Sequence, residues 1–210
     1  LSKAAGAYGL KVEFPEPRAL VPGTNRILNN EPTAKQIQRL KAKNGVRRMS
    51  NNSEMAWVPT AAKGLTPMER AWLRTIRYAE GTHRNDGYGI HYGLSYTEPG
   101  GPHPNRVITS GGYSSAAYGA YQFMPDTWKL AGGGPMTPER QDKAALFLMR
   151  RRGVTGSQPI SPELLDKLAP EWASFPKKNG DSHYGQPVKS YQRLEEFFNN
   201  ALAEEQFGTY

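Results

Sequence analysis

The sequence predicts an α+β fold: a mostly helical body with a small hairpin and loop lobe, preceded by an irregular N-terminal arm. Three observations predict it. Three helix starts repeat one pattern, Thr66-Pro67-Met68-Glu69, Thr137-Pro138-Glu139 and Ser161-Pro162-Glu163. Between the first two, residues 81–124 carry 9 of the 22 glycines and 6 of the 11 tyrosines, and no long helical periodicity survives there. Helices flanking such a segment argue for α+β. The first third is broken by Pro15, Pro17, Pro22 and Pro32, and proline interrupts any long helix.

The arm is read as Leu1–Ala62, with the body from residue 63 to 210. Charge divides at the same place. The chain has 210 residues and a net charge of +8. Residues 1–62 hold 10 Lys/Arg against 4 Asp/Glu, and the rest hold 17 against 15. A basic arm can meet nucleic acid, an anionic wall polymer or an acidic protein. Charge alone does not rank these, and nucleic acid rests on nothing else. Phe14, Leu20, Val21, Ile27, Leu28, Trp57 and Val58 are too many large apolar residues for pure linker. One helical patch is expected at Thr33–Lys43. Leu1, with no charged-then-apolar segment behind it, is read as a processed or truncated start without a secretion signal.

Several chemistries are excluded. Without cysteine there is no disulfide, thiolate metal site or cysteine nucleophile. The longest apolar run, Ala144 to Met149, is far short of the ~20 residues of a membrane span. His83, His91, His103 and His183 form no His-Glu-x-x-His and no pair at ligand spacing, so no metal and no cofactor are expected. His103, before Pro104, is expected to fix a turn. No Gly-x-Ser-x-Gly elbow supports a serine nucleophile.

In the body, Thr66 and Glu69 form a capping box with Pro67 at the first helical position. The apolar stripe of this helix is Met68, Trp72, Ile76 and Ala79. Glu80 follows Ile76 by four residues and Trp72 by eight, so it falls on the apolar face. It also ends the helix, where the dipole disfavours negative charge. Burial and dipole both raise a carboxyl pKa, and a carboxyl protonated near neutrality is what a general acid needs. The competing reading is that Glu80 frays outward. A further helix is expected from near Tyr121. The one opening at Thr137 ends in Arg150-Arg151-Arg152-Gly153, where cations and a C′ glycine suit a helix terminus better than they imply nucleic acid. A last helix is expected from about Pro187 to Gln206, with Val188, Tyr191, Leu194, Phe198 and Leu202 on one face.

Ordered blocks along the chain carry a resemblance. Tyr78-Ala79-Glu80-Gly81-Thr82 resembles the Trp-Ser-Glu-Gly-Thr segment of the lambda endolysin family of bacteriophages. His103-Pro104-Asn105-Arg106-Val107 is similar to its His-Pro-Arg stretch, and Ser114 to Phe123 to its Ser-Thr-Gly-Ala-Gly-Arg-Tyr-Gln-Leu block. Trp128, Gln141-Asp142, Ala144-Ala145-Leu146 and Arg152-Gly153 follow in the family's order, then Trp172-Ala173-Ser174-Phe175-Pro176 and Tyr184-Gly185-Gln186. The resemblance covers about residues 65–205. Ala120 stands where the family has Arg, and Tyr118 reads as a one-residue insertion. Nothing in the family matches the arm.

The resemblance implies a lysozyme-like fold and cleavage of the β-1,4 bond between N-acetylmuramic acid and N-acetylglucosamine in peptidoglycan. It implies Glu80 as the catalytic acid and base, and a lytic transglycosylase route closing a 1,6-anhydro ring. The alternative of a hydrolytic muramidase needs a second carboxylate, for which Asp86, Glu98 and Asp126 are the candidates by position. Asp126 is better read as supporting a helix start. Ser114, Ser115, Gly119, Tyr121, Gln122, Tyr184 and Gln186 are expected to line the sugar groove, since aromatic faces pack on pyranose rings and amide or hydroxyl tips read their substituents. Gly119 would admit close backbone approach. Trp172 is read as core. Expected partners are the glycan strands of a host cell wall, reached by a phage-encoded enzyme, and other virion proteins through the arm. A virion structural component carrying a lysozyme-like domain is the remaining alternative.

Overall fold

The computed structural model describes residues 60–84, 87–185 and 187–207. The arm through residue 59, with its helical patch, lies outside the described residues, as do Asp86 and Gln186.

Five α-helices and one two-stranded hairpin build the described part. Helix α1 spans Pro67–Glu80. Two 3₁₀ turns, Gly87–Gly89 and Tyr92–Leu94, follow. Strands β1 (Ile108–Ser110) and β2 (Tyr113–Ser115) pair antiparallel, with Thr109 opposite Ser114. Then come α2 (Pro125–Leu130), α3 (Pro138–Arg151), α4 (Pro162–Leu168) and α5 (Tyr191–Phe207). This is the expected α+β architecture.

The caps form as their chemistry requires. Thr66 and Glu69 make the reciprocal capping box. Thr137 accepts from the Arg140 N–H and Ser161 from the Leu164 N–H. At the end of α3, Gly153 takes φ 75°. Its N–H reaches Arg150 O, and the Val154 N–H reaches Met149 O, which is the Schellman closure. Two of the three arginines there are engaged by protein: Arg150 pairs with Glu69 and Arg152 with Glu171, each at 2.8 Å.

Helix α1 is the axis of the core. Its expected stripe is buried at Trp72, Ile76 and Ala79, but Ala71, Leu73, Arg74, Thr75 and Arg77 are buried as well. A single-face reading is therefore too narrow: other elements cover α1 on several sides. Helix α5 lies along it, with Trp72 edge-on to Phe198 at 5.2 Å. Arg70 bonds Glu205, and Arg74 bonds both Glu204 and Glu205.

Two boundaries differ from expectation. Helix α5 begins at Tyr191, not near Pro187, because Ser190 caps it and its Oγ accepts from the Arg193 N–H at 3.4 Å. Helix α2 begins at Pro125 rather than near Tyr121. The intervening turn is closed by paired hydrogen bonds between Tyr118 and Phe123, and Gln122 sits at φ 48°, which no helix accommodates.

Candidate active site

The site is built at the C-terminal end of α1. Glu80 is its last residue, and Gly81 follows at φ 73°. The Gly81 N–H reaches Tyr78 O and the Thr82 N–H reaches Arg77 O. A residue with a Cβ pays heavily in that left-handed conformation, so the glycine ends the helix directly after the glutamate. Thr82 is buried, and its hydroxyl donates to Ala120 O. Glu-Gly-Thr thus stops the helix and ties its end to the 118–123 turn.

Glu80 does not fray. Ser174 Oγ donates to its Oε1 at 2.6 Å. Glu80 is half-buried, and burial pushes its carboxyl pKa up to about 7. The Ser174 hydrogen bond and the positive charge of Lys189 oppose that rise. Lys189 lies over the Tyr78 ring at 4.7 Å, and Tyr78 stacks on Phe197 at 4.1 Å. No carboxylate is among the groups acting on Glu80 in the described residues.

Of the carboxylates weighed as a second group, Asp86 lies outside the described residues and the other two are engaged elsewhere. Asp126 sits in the first turn of α2 and pairs with Lys129. Glu98 is exposed and accepts from Tyr96 Oη at 3.1 Å. Among the described residues no His, Asp and Glu cluster could hold a metal. His103 does fix a turn, donating from Nε2 to Phe123 O and accepting the Asn105 N–H at Nδ1.

The groove candidates divide. Tyr121 is fully buried, with its hydroxyl on Asp142 Oδ1 at 2.5 Å. It is a core residue and not a groove wall. Gly119, at φ 86°, is also interior: a Cβ there would come within 2.2 Å of Gln141 Oε1. The close approach it permits is to Gln141, not to a sugar. Gln122 is half-buried, and its amide donates to Ile90 O and Gly119 O. Ser114 and Ser115 are half-buried on β2. Ser114 bonds Thr109 across the hairpin, and Ser115 accepts from the Ala117 N–H. Tyr184 is half-buried with its hydroxyl on Pro170 O. Trp172 is core, as expected, and donates from Nε1 to Tyr121 O.

Ser174 was not singled out for the site from its spacing. It lies 94 residues from Glu80. Its only sequence signal is the Trp172–Pro176 block of the resemblance.

A two-stranded hairpin set into a helical body, with a buried glutamate at a helix end, is a lysozyme-like fold. A family model described as Endolysin matches residues 70–204. The chain belongs to the endolysin family. Two solved structures are similar to it. Bacteriophage lambda lysozyme complexed with a chitohexasaccharide is 25% identical, with a TM-score of 0.58, over 65% of this chain and 95% of that one. Lysozyme from bacteriophage lambda is 22% identical, with a TM-score of 0.51, over 69% of this chain and 95% of that one. No curated protein sequence matches significantly. The activity of the chain is lysozyme-like peptidoglycan degradation.

Proposed function

We propose that the protein cleaves the β-1,4 bond between N-acetylmuramic acid and N-acetylglucosamine as a lytic transglycosylase, acting on the host cell wall. The observation that carries this is the buried carboxyl of Glu80, hydrogen-bonded by Ser174 and held near pKa 7, with no carboxylate acting on it among the described residues. Such a group is populated in both protonation states at neutral pH, which suits one residue acting first as acid and then as base. The similarity to a lysozyme that binds a chitohexasaccharide supports a β-1,4-linked amino-sugar substrate.

Glu80 gives its proton to the glycosidic oxygen. The C1–O4 bond breaks, and the N-acetylglucosamine side leaves with that proton. The 6-hydroxyl of the muramic sugar then bonds to C1, and its proton passes to the Glu80 carboxylate. The ring closes as a 1,6-anhydro end, Glu80 is again protonated, and no water is consumed. In the carboxylate interval the Ser174 hydroxyl and the charge of Lys189 stabilise the anion. Ser114, Ser115, Gln122 and Tyr184 keep surface with which to meet sugar.

The test is mass spectrometry of muropeptides released from purified peptidoglycan. Products lighter by one water than hydrolytic ones are expected. Reducing ends would establish a hydrolase and require a carboxylate opposite Glu80.

A further inference from the structure

Glu80 and its hydrogen-bond donor hang from one turn. Ala120 O accepts from Thr82 Oγ1, two residues after Glu80. The adjacent carbonyl, Tyr121 O, accepts from Trp172 Nε1 at 3.1 Å, two residues before Ser174. Neighbouring side chains of α3 hold this turn. Gln141 Oε1 accepts the Ala120 N–H at 2.9 Å, and its amide donates to Tyr88 O and Met136 O. Asp142 Oδ1 accepts the hydroxyls of Tyr121 at 2.5 Å and Tyr88 at 2.7 Å. Its Oδ2 accepts the N–H groups of Ala61 at 2.6 Å and Ala62 at 2.8 Å. Both α3 residues are wholly buried.

We propose that Asp142, with Gln141 beside it, is a positioning residue for the catalytic acid, holding the 118–123 turn where it seats the Ser174 hydroxyl on Glu80. The proposal rests on Glu80 being that acid. A carboxylate suits the place chemically. Four donors converge on it, and an acceptor-only group with two oxygens can take them all. An amide offers one oxygen, which serves one pair of donors and leaves the other pair without an acceptor. Two of the four donors come from residues 61 and 62, upstream of the family-matched span. The anchor of the site therefore includes the segment through which the chain enters the domain.

The charged and titratable neighbours are few. Arg77 donates to Tyr88 Oη at 3.2 Å and lies over its ring, while Tyr88 and Tyr121 face Asp142. Lys189 faces Glu80 and also His83, which Arg84 and Arg77 influence too. If the turn relaxes, Ser174 withdraws from Glu80, the carboxylate loses a donor and the acid holds its proton to higher pH.

The experiment is the pH–rate profile on purified peptidoglycan of the full chain, Ser174→Ala, Asp142→Asn, their double variant and Tyr121→Phe, with thermal unfolding of each. Ser174→Ala and Asp142→Asn are each expected to move the alkaline limb up by about one pH unit, with kcat down roughly tenfold and KM unchanged. The double variant should shift no further than either single one. A lower melting temperature with the limb unmoved overturns the proposal, and so do additive shifts. Where Asp142→Asn does not fold, Tyr121→Phe decides: an upward limb supports the proposal and a wild-type limb overturns it. Full activity in Glu80→Gln would instead remove the reading of the acid itself, which keeps the two failures apart.

Discussion

The proposed chemistry rests on one carboxyl, Glu80, whose proton is balanced near pH 7 by burial on one side and by Ser174 and Lys189 on the other. Glu80→Gln keeps shape and the ability to accept from Ser174 but cannot donate or take a proton as an acid does. Its lytic rate should fall by about 10²–10⁴-fold, read as turbidity loss of wall suspensions, with the circular dichroism spectrum unchanged. Retained lysis would remove Glu80 from the mechanism. Lys189 allows a subtler experiment. Its charge lowers the Glu80 pKa, so Lys189→Met should raise it. The acid then stays protonated to higher pH, and the alkaline limb of the rate profile moves up. A limb that stays in place or moves down would show that this charge does not act on Glu80 in solution.

At the scale of elements, the 118–123 turn does what its glycine and its buried polar contacts demand. Gly119→Ala would place a methyl 2.2 Å from Gln141 Oε1 at φ 86°. Overpacking and left-handed strain together should cost about 2–4 kcal/mol, measurable by urea denaturation; a loss below about 0.5 kcal/mol would mean that Gln141 is not fixed. This turn also marks where reading the sequence stops working. The caps at Thr66, Thr137 and Ser161 and the Gly153 terminus were legible because each depends on contacts within a few residues. The inward placement of Glu80 was legible from its spacing to Ile76 and Trp72. Tyr121 was misplaced into the groove because its orientation is set by Asp142, 21 residues away, and Trp172, 51 residues away. An aromatic two residues from a glycine reads the same locally whether it faces sugar or core. Gly119 misled for the same reason, and Ser174 was silent apart from its family block.

Across the whole molecule, the site opposes the fold, and pH exposes the conflict. Burial depresses His83 to about 3 and His91 to about 4. These rings fold neutral, so stability is full above their unfolded value of about 6.5 and is lost as pH falls toward the folded values. Glu80 works in the other direction. Its folded pKa of about 7 lies above the ordinary value of 4.5, so folding favours its protonated form. That contribution is complete below 4.5 and is lost as pH rises through 7. Above that, the folded protein holds an enclosed carboxylate at a disadvantage of up to about 3 kcal/mol. Glu80→Gln removes this term while leaving the histidines in place. The variant and the parent should therefore melt together at pH 4, where both side chains are neutral. They should separate as pH rises from 4.5 to 7 and the gap should level off above that, with the variant higher by several degrees at pH 8. Scanning calorimetry across that range measures the difference directly. A difference that is flat with pH would mean that the Glu80 carboxyl is solvated in the folded protein. The enclosure that tunes it as an acid would then be absent.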